Sequence, residues 1–496
     1  MSAVIEQLHR GVCRLPAEGC KPALSDNCRQ IEWADLIALV EATAAQLTSL
    51  GIRRLGLCAD NSVDWALIDL AAQHADIVLI PLPHFFTAQQ ACHSARSAGV
   101  DYLLTDAELP KDWLKALIPG EKILQPIAQT PRLDGYPLSP ESSDPLPTGC
   151  QKITFTSGST GQPKGVCLSA CHQWQVAESL ATATAMSAPH HLCLIPLATL
   201  LENIGGIYTP LLCGGSVHFA SASERGISGS SSVNARQLLA AISSEEPNSL
   251  IVIPQLLALL VSAAQSNWQP PSSLKFIAVG GARTAPRLLE QAIDLGLPVY
   301  EGYGLSECGS VVALNTAECN FPGTAGKILP HCDVTIKHGE VIIHSPCFLG
   351  YVDDRSSWEP TEVASGDLGQ IDENGFLTIS GRRKNLLITS FGRNVSPEWV
   401  ESLLLGGTLL RRCVVVGDGE AQLTALIDSD PQRSQSQLAE WVEACNQQLP
   451  DYARIGHCRV IEEKDWPPLL TANGRPRRDS INQFFTTLPH QLEETL

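Results

Sequence analysis

The feature that most constrains this chain is a rhythm near its N-terminus: short apolar runs at 54–59, 77–80 and 102–105, each separated from the next by a stretch of helical periodicity. Strand, crossover helix and strand in that order build a parallel sheet with helices packed on its faces. The stretch before the first run fits the pattern. Trp33, Leu36, Val40, Ala44 and Leu47 recur at intervals of three or four residues, which predicts an amphipathic helix ending at Gly51. The rhythm returns at 192–195, 250–253 and 276–279, with an amphipathic stretch at 235–242 before the second of these. Residues 220–232 are rich in Ser, Gly and Ala and read as a surface loop. After about residue 325 the texture changes to short strands bounded by glycine, at 334–337 and 340–344, which implies a small β-rich unit. Beyond Gly381, a helix at 397–404, strands at 413–417 and 423–427 and a helix at 435–448 make a compact α+β domain.

A chain of 496 residues exceeds one ordinary core, and 44% hydrophobic with 17% charged residues places it among globular proteins. The 52 acidic residues outnumber the 34 Lys and Arg, and a net charge of -18 repels polyphosphate polymers, so nucleic acid is not an expected partner. A small anion is still compatible, because a few backbone N–H groups and one lysine hold phosphate whatever the net charge. The 17 cysteines are scattered singly, as at Cys167, Cys171, Cys193 and Cys213, and none of them nor of the 13 histidines falls in a catalytic spacing. Free thiols are expected. No basic, apolar leader opens the chain and no run approaches about 18 apolar residues, so the expectation is a cytoplasmic protein without a transmembrane segment.

One decapeptide carries the most chemistry. Residues 152–156 alternate like a strand and run into Thr156-Ser157-Gly158-Ser159-Thr160-Gly161-Gln162-Pro163-Lys164-Gly165. Its three glycines let backbone N–H groups converge, its hydroxyls add donors, and Lys164 adds a mobile positive charge, which together suit a triphosphate. The lysine lies between Pro163 and Gly165, so this is not a Walker A loop; a flexible Ser/Gly turn is the other reading.

The segment resembles the signature loop of the adenylate-forming superfamily, which includes acyl-CoA synthetases, luciferases and nonribosomal adenylation domains, and the resemblance spans nearly the whole chain. It implies an α/β fold: a large N-terminal domain, 1–383, of two α/β subdomains plus a small β-rich subdomain, and a small mobile α+β lid, 384–496. Thr156, Ser157, Gly158, Ser159, Thr160, Gly161 and Lys164 would then bind ATP. By the same resemblance Gly281 and Ala282, in the glycine turn after 276–279, border the adenine, although the turn alone equally suits packing. In Glu301-Gly302-Tyr303-Gly304-Leu305-Ser306-Glu307, the resemblance implies that Tyr303 stacks on adenine, Ser306 bonds the α-phosphate region and Glu307 holds Mg²⁺, with Glu301, Gly302 and Gly304 shaping the turn, although without the resemblance the segment reads as a plain turn. Asp367 matches the carboxylate that clamps both ribose hydroxyls, although Asp between glycines also suits a hairpin turn. Arg382 matches an arginine on ribose and phosphate, and Lys384 the interdomain hinge, while Arg383 reads as a solvated charge. Gly392 matches the glycine region lining a thiol tunnel, and Ser396 also suits an N-cap for the helix opened by Pro397.

Two departures stand out. In Pro196-Leu197-Ala198-Thr199, Thr199 stands where relatives often carry an aromatic residue or His at the acyl gate. Near the C-terminus, Leu470-Thr471-Ala472-Asn473-Gly474-Arg475 places Arg475 where relatives use a catalytic lysine; the positive charge is kept with a planar shape. The expected activity is an acid–thiol ligase: a carboxylic acid, a medium- or long-chain fatty acid, is joined to AMP and passed to coenzyme A, with ATP and Mg²⁺ required. The alternatives are a ligase that loads an acyl carrier protein and, because of Arg475, a non-catalytic acyl or nucleotide sensor.

Overall fold

The computed structural model describes residues 2–106, 113, 116, 117, 126–139, 144–156, 163–228, 232–345, 347–390, 392–407, 409–429, 434–471 and 474–488. The expected parallel sheets are present, and there are two of them. In the first, Lys152–Thr156, Val78–Pro81, Arg54–Cys58 and Tyr102–Thr105 run parallel as neighbours, flanked by antiparallel Lys164–Leu168 and Asp134–Pro137. In the second, Leu24–Ser25, Ser216–Phe219, His190–Cys193, Ser249–Val252, Phe276–Val279 and Val299–Tyr303 are parallel in that spatial order. Their residues are buried almost without alternation, as strands covered on both faces must be.

The β-rich unit is a four-stranded antiparallel sheet in the order Asp333–Lys337, Glu340–Ser345, Val363–Ile371, Leu377–Arg382. From Leu387 onward the chain builds its own apolar core. Val400, Val415, Leu423, Ile427 and Val442 pack there between the helices Pro397–Leu404 and Gln435–Asn446 and a three-stranded sheet. Mixed α/β architecture, with a large N-terminal part and a C-terminal one, is therefore the fold.

Several local expectations are corrected. Residues 220–232 are not a plain surface loop: Ala222–Arg225 is a helical turn with a capping box at Ser221, and Ile227–Ser228 pairs with Ser232–Val233. Arg225 is buried there, ion-paired with Asp60 and donating to the Leu194 carbonyl at 3.2 Å. Polar composition marked the turn but not the partner that draws it inward. The run at 192–195 is displaced to His190–Cys193, because His190 and His191 hydrogen-bond to serines of the neighbouring strands and so sit inside the sheet. Ser396 occupies the N-cap of Pro397–Leu404, yet its hydroxyl bonds Glu398 at 3.2 Å and caps no backbone N–H. All 17 cysteines are free thiols. Among the described residues, no helix is long and apolar enough to cross a membrane.

Candidate functional site

Where the C-terminal part meets the large one, a cavity of roughly 2390 Å³ opens. Thr156, Lys164, Gly281, Ala282, Glu301, Gly302, Tyr303, Gly304, Ser306, Glu307, Asp367, Arg382, Lys384 and Arg475 all line it. Ser157, Gly158, Ser159, Thr160 and Gly161 lie outside the described residues. Gly392 is not among the lining residues; it sits in the turn between Leu387–Ile388 and Asn394–Val395, with φ of +71°.

The parts are positioned by backbone. Val299–Tyr303 ends at the cavity, and Gly304 then brings the chain so close to its own return that a Cβ there would stand 1.8 Å from the Ser310 carbonyl oxygen. Only glycine makes that approach. A short 3-10 turn, Ser306–Cys308, follows and carries Glu307. On the facing sheet Asp367 and Arg382 are paired across adjacent strands, and the two meet at 2.7 Å between the Arg382 Nε and a carboxylate oxygen. The Tyr303 hydroxyl donates to the other oxygen of Asp367, also at 2.7 Å. Burial raises the Asp367 pKa against the opposing pull of Arg382, and burial followed by the Asp367 charge raises that of the Tyr303 phenol.

Arg475 reaches across from the C-terminal part, and its guanidinium donates to the Gly281 carbonyl at 2.8 Å. Desolvation, then the like charge of Arg382, lowers its pKa. Desolvation likewise leads the lowering at Lys384, again with Arg382 next. Glu301, behind the loop, is pushed up to about 7 by burial, which the bond from the Thr284 N–H at 3.3 Å only partly offsets.

Tyr351 was not foreseen. Its hydroxyl donates to Glu307 at 2.8 Å, and Lys164 Nζ stands 5.3 Å from its ring centroid. Gly350–Tyr351 is a two-residue strand paired with Lys164–Leu168, too short to leave a periodic signal, and no sequence spacing links it to Glu307. Arg283 was also missed: it holds the turn after Gly281 by donating to the carbonyls of Ile379 and Ser380 at 3.2 and 3.0 Å. The cavity continues along apolar side chains, among them Leu200, Leu201, Ile251, Phe276 and Ala278, with Thr199 at its wall.

Comparison with known proteins agrees with this fold. The family model described as AMP-binding enzyme matches residues 16–348, and that of the AMP-binding enzyme C-terminal domain matches 384–488. A long-chain-fatty-acid–CoA ligase, FadD15, of Mycobacterium bovis is 24% identical, the match covering 81% of this chain and 78% of that protein. The anthranilate CoA ligase AuaEII in complex with anthranoyl-AMP superposes with a TM-score of 0.81 at 19% identity, over 98% of each chain. O-succinylbenzoate coenzyme A synthetase of Bacillus subtilis, solved in complex with ATP and magnesium ion, superposes with a TM-score of 0.77 at 21% identity, over 97% of this chain and 99% of that one. With two thirds of its length under one family model and residues 384–488 under the companion model, the chain belongs to the AMP-binding enzymes, the adenylate-forming family of acid–thiol ligases.

Proposed function

We propose that this protein is an ATP-dependent acyl-CoA synthetase that activates a medium- or long-chain fatty acid as its acyl adenylate and transfers the acyl group to coenzyme A. The observation that carries the reading is the meeting of Tyr303, Asp367, Arg382 and Arg475 around one cavity that continues between apolar walls. Asp367 accepts from the two ribose hydroxyls, and Tyr303, held by Asp367, offers its ring to the adenine. Arg382 stands beside the ribose and the α-phosphate. Attack of a carboxylate on phosphorus sets anion against anion, so the protein must neutralise charge and align the partners rather than supply a nucleophile. Arg475 and Lys164 are the cations placed to do so. Glu307, a hard oxygen donor held by Tyr351, fits Mg²⁺, which when bound neutralises phosphate charge. Lys384 serves as the hinge on which the C-terminal domain, 384–496, turns to admit the thiol, and Gly392 comes to the thiol path in that second arrangement.

The apolar continuation of the cavity favours an acid with a hydrocarbon tail, and the fatty-acid CoA ligase among the relatives supports both that tail and CoA as acceptor over a carrier protein. The test is ATP–pyrophosphate exchange with saturated acids of graded length beside aromatic acids, followed by mass spectrometry of products formed with CoA. Exchange greatest with medium or long chains, and an acyl-CoA product, is the expected result. Exchange with aromatic acids alone overturns the substrate; no exchange with any acid returns the chain to the sensor reading that Arg475 raised.

A further inference from the structure

We propose that His191, Cys193 and Glu202 form a binding site for a zinc-class divalent transition-metal ion, bordering the cavity but made of none of the residues assigned to the nucleotide. His191 and Cys193 lie two apart on the strand His190–Cys193, so both project from the same face. Glu202 comes from the helical turn Leu200–Asn203, which passes directly into a π-helical turn, Ile204–Tyr208. One ligand atom from each of the three residues lies within 4.8 Å of the other two, and all three residues are buried. The His191 and Glu202 side chains are 2% and 0% exposed.

Three observations point to an ion rather than to a self-sufficient polar cluster. First, the histidine is already oriented. Its Nδ1 meets the Ser249 hydroxyl at 2.9 Å, which leaves Nε2 facing Glu202 Oε1 at 3.3 Å, and a hydrogen bond on the far ring nitrogen is how metal-bound histidines are held. Second, the other Glu202 oxygen, Oε2, has no hydrogen-bond partner although fully buried, an arrangement that costs free energy unless something else meets it. The Cys193 thiol meets the Gly206 carbonyl at a long 3.9 Å and otherwise faces the Glu202 carboxylate, with which it would share the ion. Third, the space is kept. A Cβ on Gly206 would stand 2.8 Å from His191 Nε2 and 3.3 Å from Cys193 Sγ, so glycine at this point of the π-turn leaves that side of the cluster clear.

Donor chemistry selects the metal. One imidazole nitrogen, one thiolate and one carboxylate suit Zn²⁺ better than the hard cations, which prefer oxygen alone. Binding displaces the Cys193 proton to solvent, and thiolate plus carboxylate then balance the ion's two positive charges, so the buried assembly is neutral. Three protein ligands leave a fourth position, and His191 also lines the cavity.

The test uses the full-length protein loaded with equimolar zinc. Crystals measured at the zinc absorption edge are expected to show an anomalous peak between the three side chains. Elemental analysis after removal of loosely held metal is expected to give about one zinc per chain, with affinity about 10–100-fold weaker in Ser249→Ala, which leaves the three ligands in place. Cys193→Ser is expected to abolish retention. A peak elsewhere, no peak, or zinc affinity unchanged in both variants overturns the site. If a variant fails to fold, the anomalous map of the unaltered protein decides.

Discussion

Two aspartates in this molecule hold cations at nearly the same distance, and their surroundings make them different devices. Asp69 meets Lys152 at 2.8 Å with side chains 0% and 1% exposed; Asp367 meets Arg382 at 2.7 Å, where the arginine is 46% exposed and faces the cavity. Around the first pair the polar groups are answered from within, Asp69 Oδ1 by the ion pair itself. Lys152 donates to the Tyr208 hydroxyl at 2.7 Å and to Asn203, while Asn203 and Tyr208 donate to the other Asp69 oxygen at 2.8 and 2.6 Å. Trp174 stacks on Tyr208 with ring centroids 4.7 Å apart and donates to Gln73, which in turn bonds the Tyr208 hydroxyl. Asn203 precedes the π-turn and Tyr208 closes it, so this sealed network fixes both ends of the element that begins two residues after Glu202. Around the second pair, the Tyr303 hydroxyl is also bonded to the Asp367 carboxylate, and the pair lines the cavity. A satisfied ion pair makes structure, whereas a pair left facing a cavity keeps bonding capacity for a ligand.

The contrast is broken most sharply by Lys152→Met. Removing the cation leaves Asp69 charged and sealed in, and urea unfolding should show about 3–5 kcal/mol less stability. The double replacement Lys152→Met with Asp69→Leu should recover much of that loss. If the single variant unfolds like the parent, the network is ornamental and the contrast fails. Asp367→Ala ranks next and acts on a different quantity. With Asp367 in the ribose-binding role proposed above, its loss should lower kcat/KM for ATP roughly 100-fold, about 3 kcal/mol, with the urea midpoint nearly unmoved. A stability loss as large as that of Lys152→Met, without an activity defect, would place Asp367 in the same class as Asp69.

Glu301 lies between the two extremes, behind the site yet reached through it. Its folded pKa, about 7, is raised above the ordinary 4.5, so the folded state binds the proton more tightly than the unfolded one. The resulting stability is full below about pH 4.5 and is lost as pH rises through 7, on the order of 1–2 kcal/mol once solvent in the cavity is allowed for. Thermal unfolding followed across that window should show a decline that Glu301→Gln removes. An unchanged slope in the variant would assign the pH dependence to another group.

The cleft was far more legible in the sequence than the core network, and the reason is the reach of each constraint. Gly304, Tyr303 and Glu307 stand within seven residues of one another in a segment marked by the family resemblance, and the tight backbone approach at Gly304 gives that glycine a local reason. Lys152 instead reads as the polar member of an alternating strand, yet the strand is buried from Lys152 to Phe155, and its partners lie 51 and 56 residues away at Asn203 and Tyr208. Periodicity reports the face a residue occupies, not which distant group will answer its charge. Strands in the parallel sheets were found to within one or two residues for the same local reason, while 220–232 was misjudged because the Asp60 that draws Arg225 inward is remote in sequence.

The smallest effect tests the lower bound of the comparison. Arg383 meets Glu340 at 2.8 Å, as close as Lys152 meets Asp69, but its side chain is 63% exposed. If distance governed the strength of these pairs, Arg383→Ala would rival Lys152→Met. Exposure governs it instead: water already solvates the guanidinium, so the pair gains little over separation, and the glutamate left behind is not stranded, because it also accepts from the Gly366 N–H at 2.9 Å. The expected change in unfolding free energy is below about 1 kcal/mol and shrinks further in high salt. A loss of several kcal/mol would show that the strand carrying Glu340 depends on this pair to present Asp367, and the cleft would then owe its geometry to a surface contact rather than to the sheet beneath it.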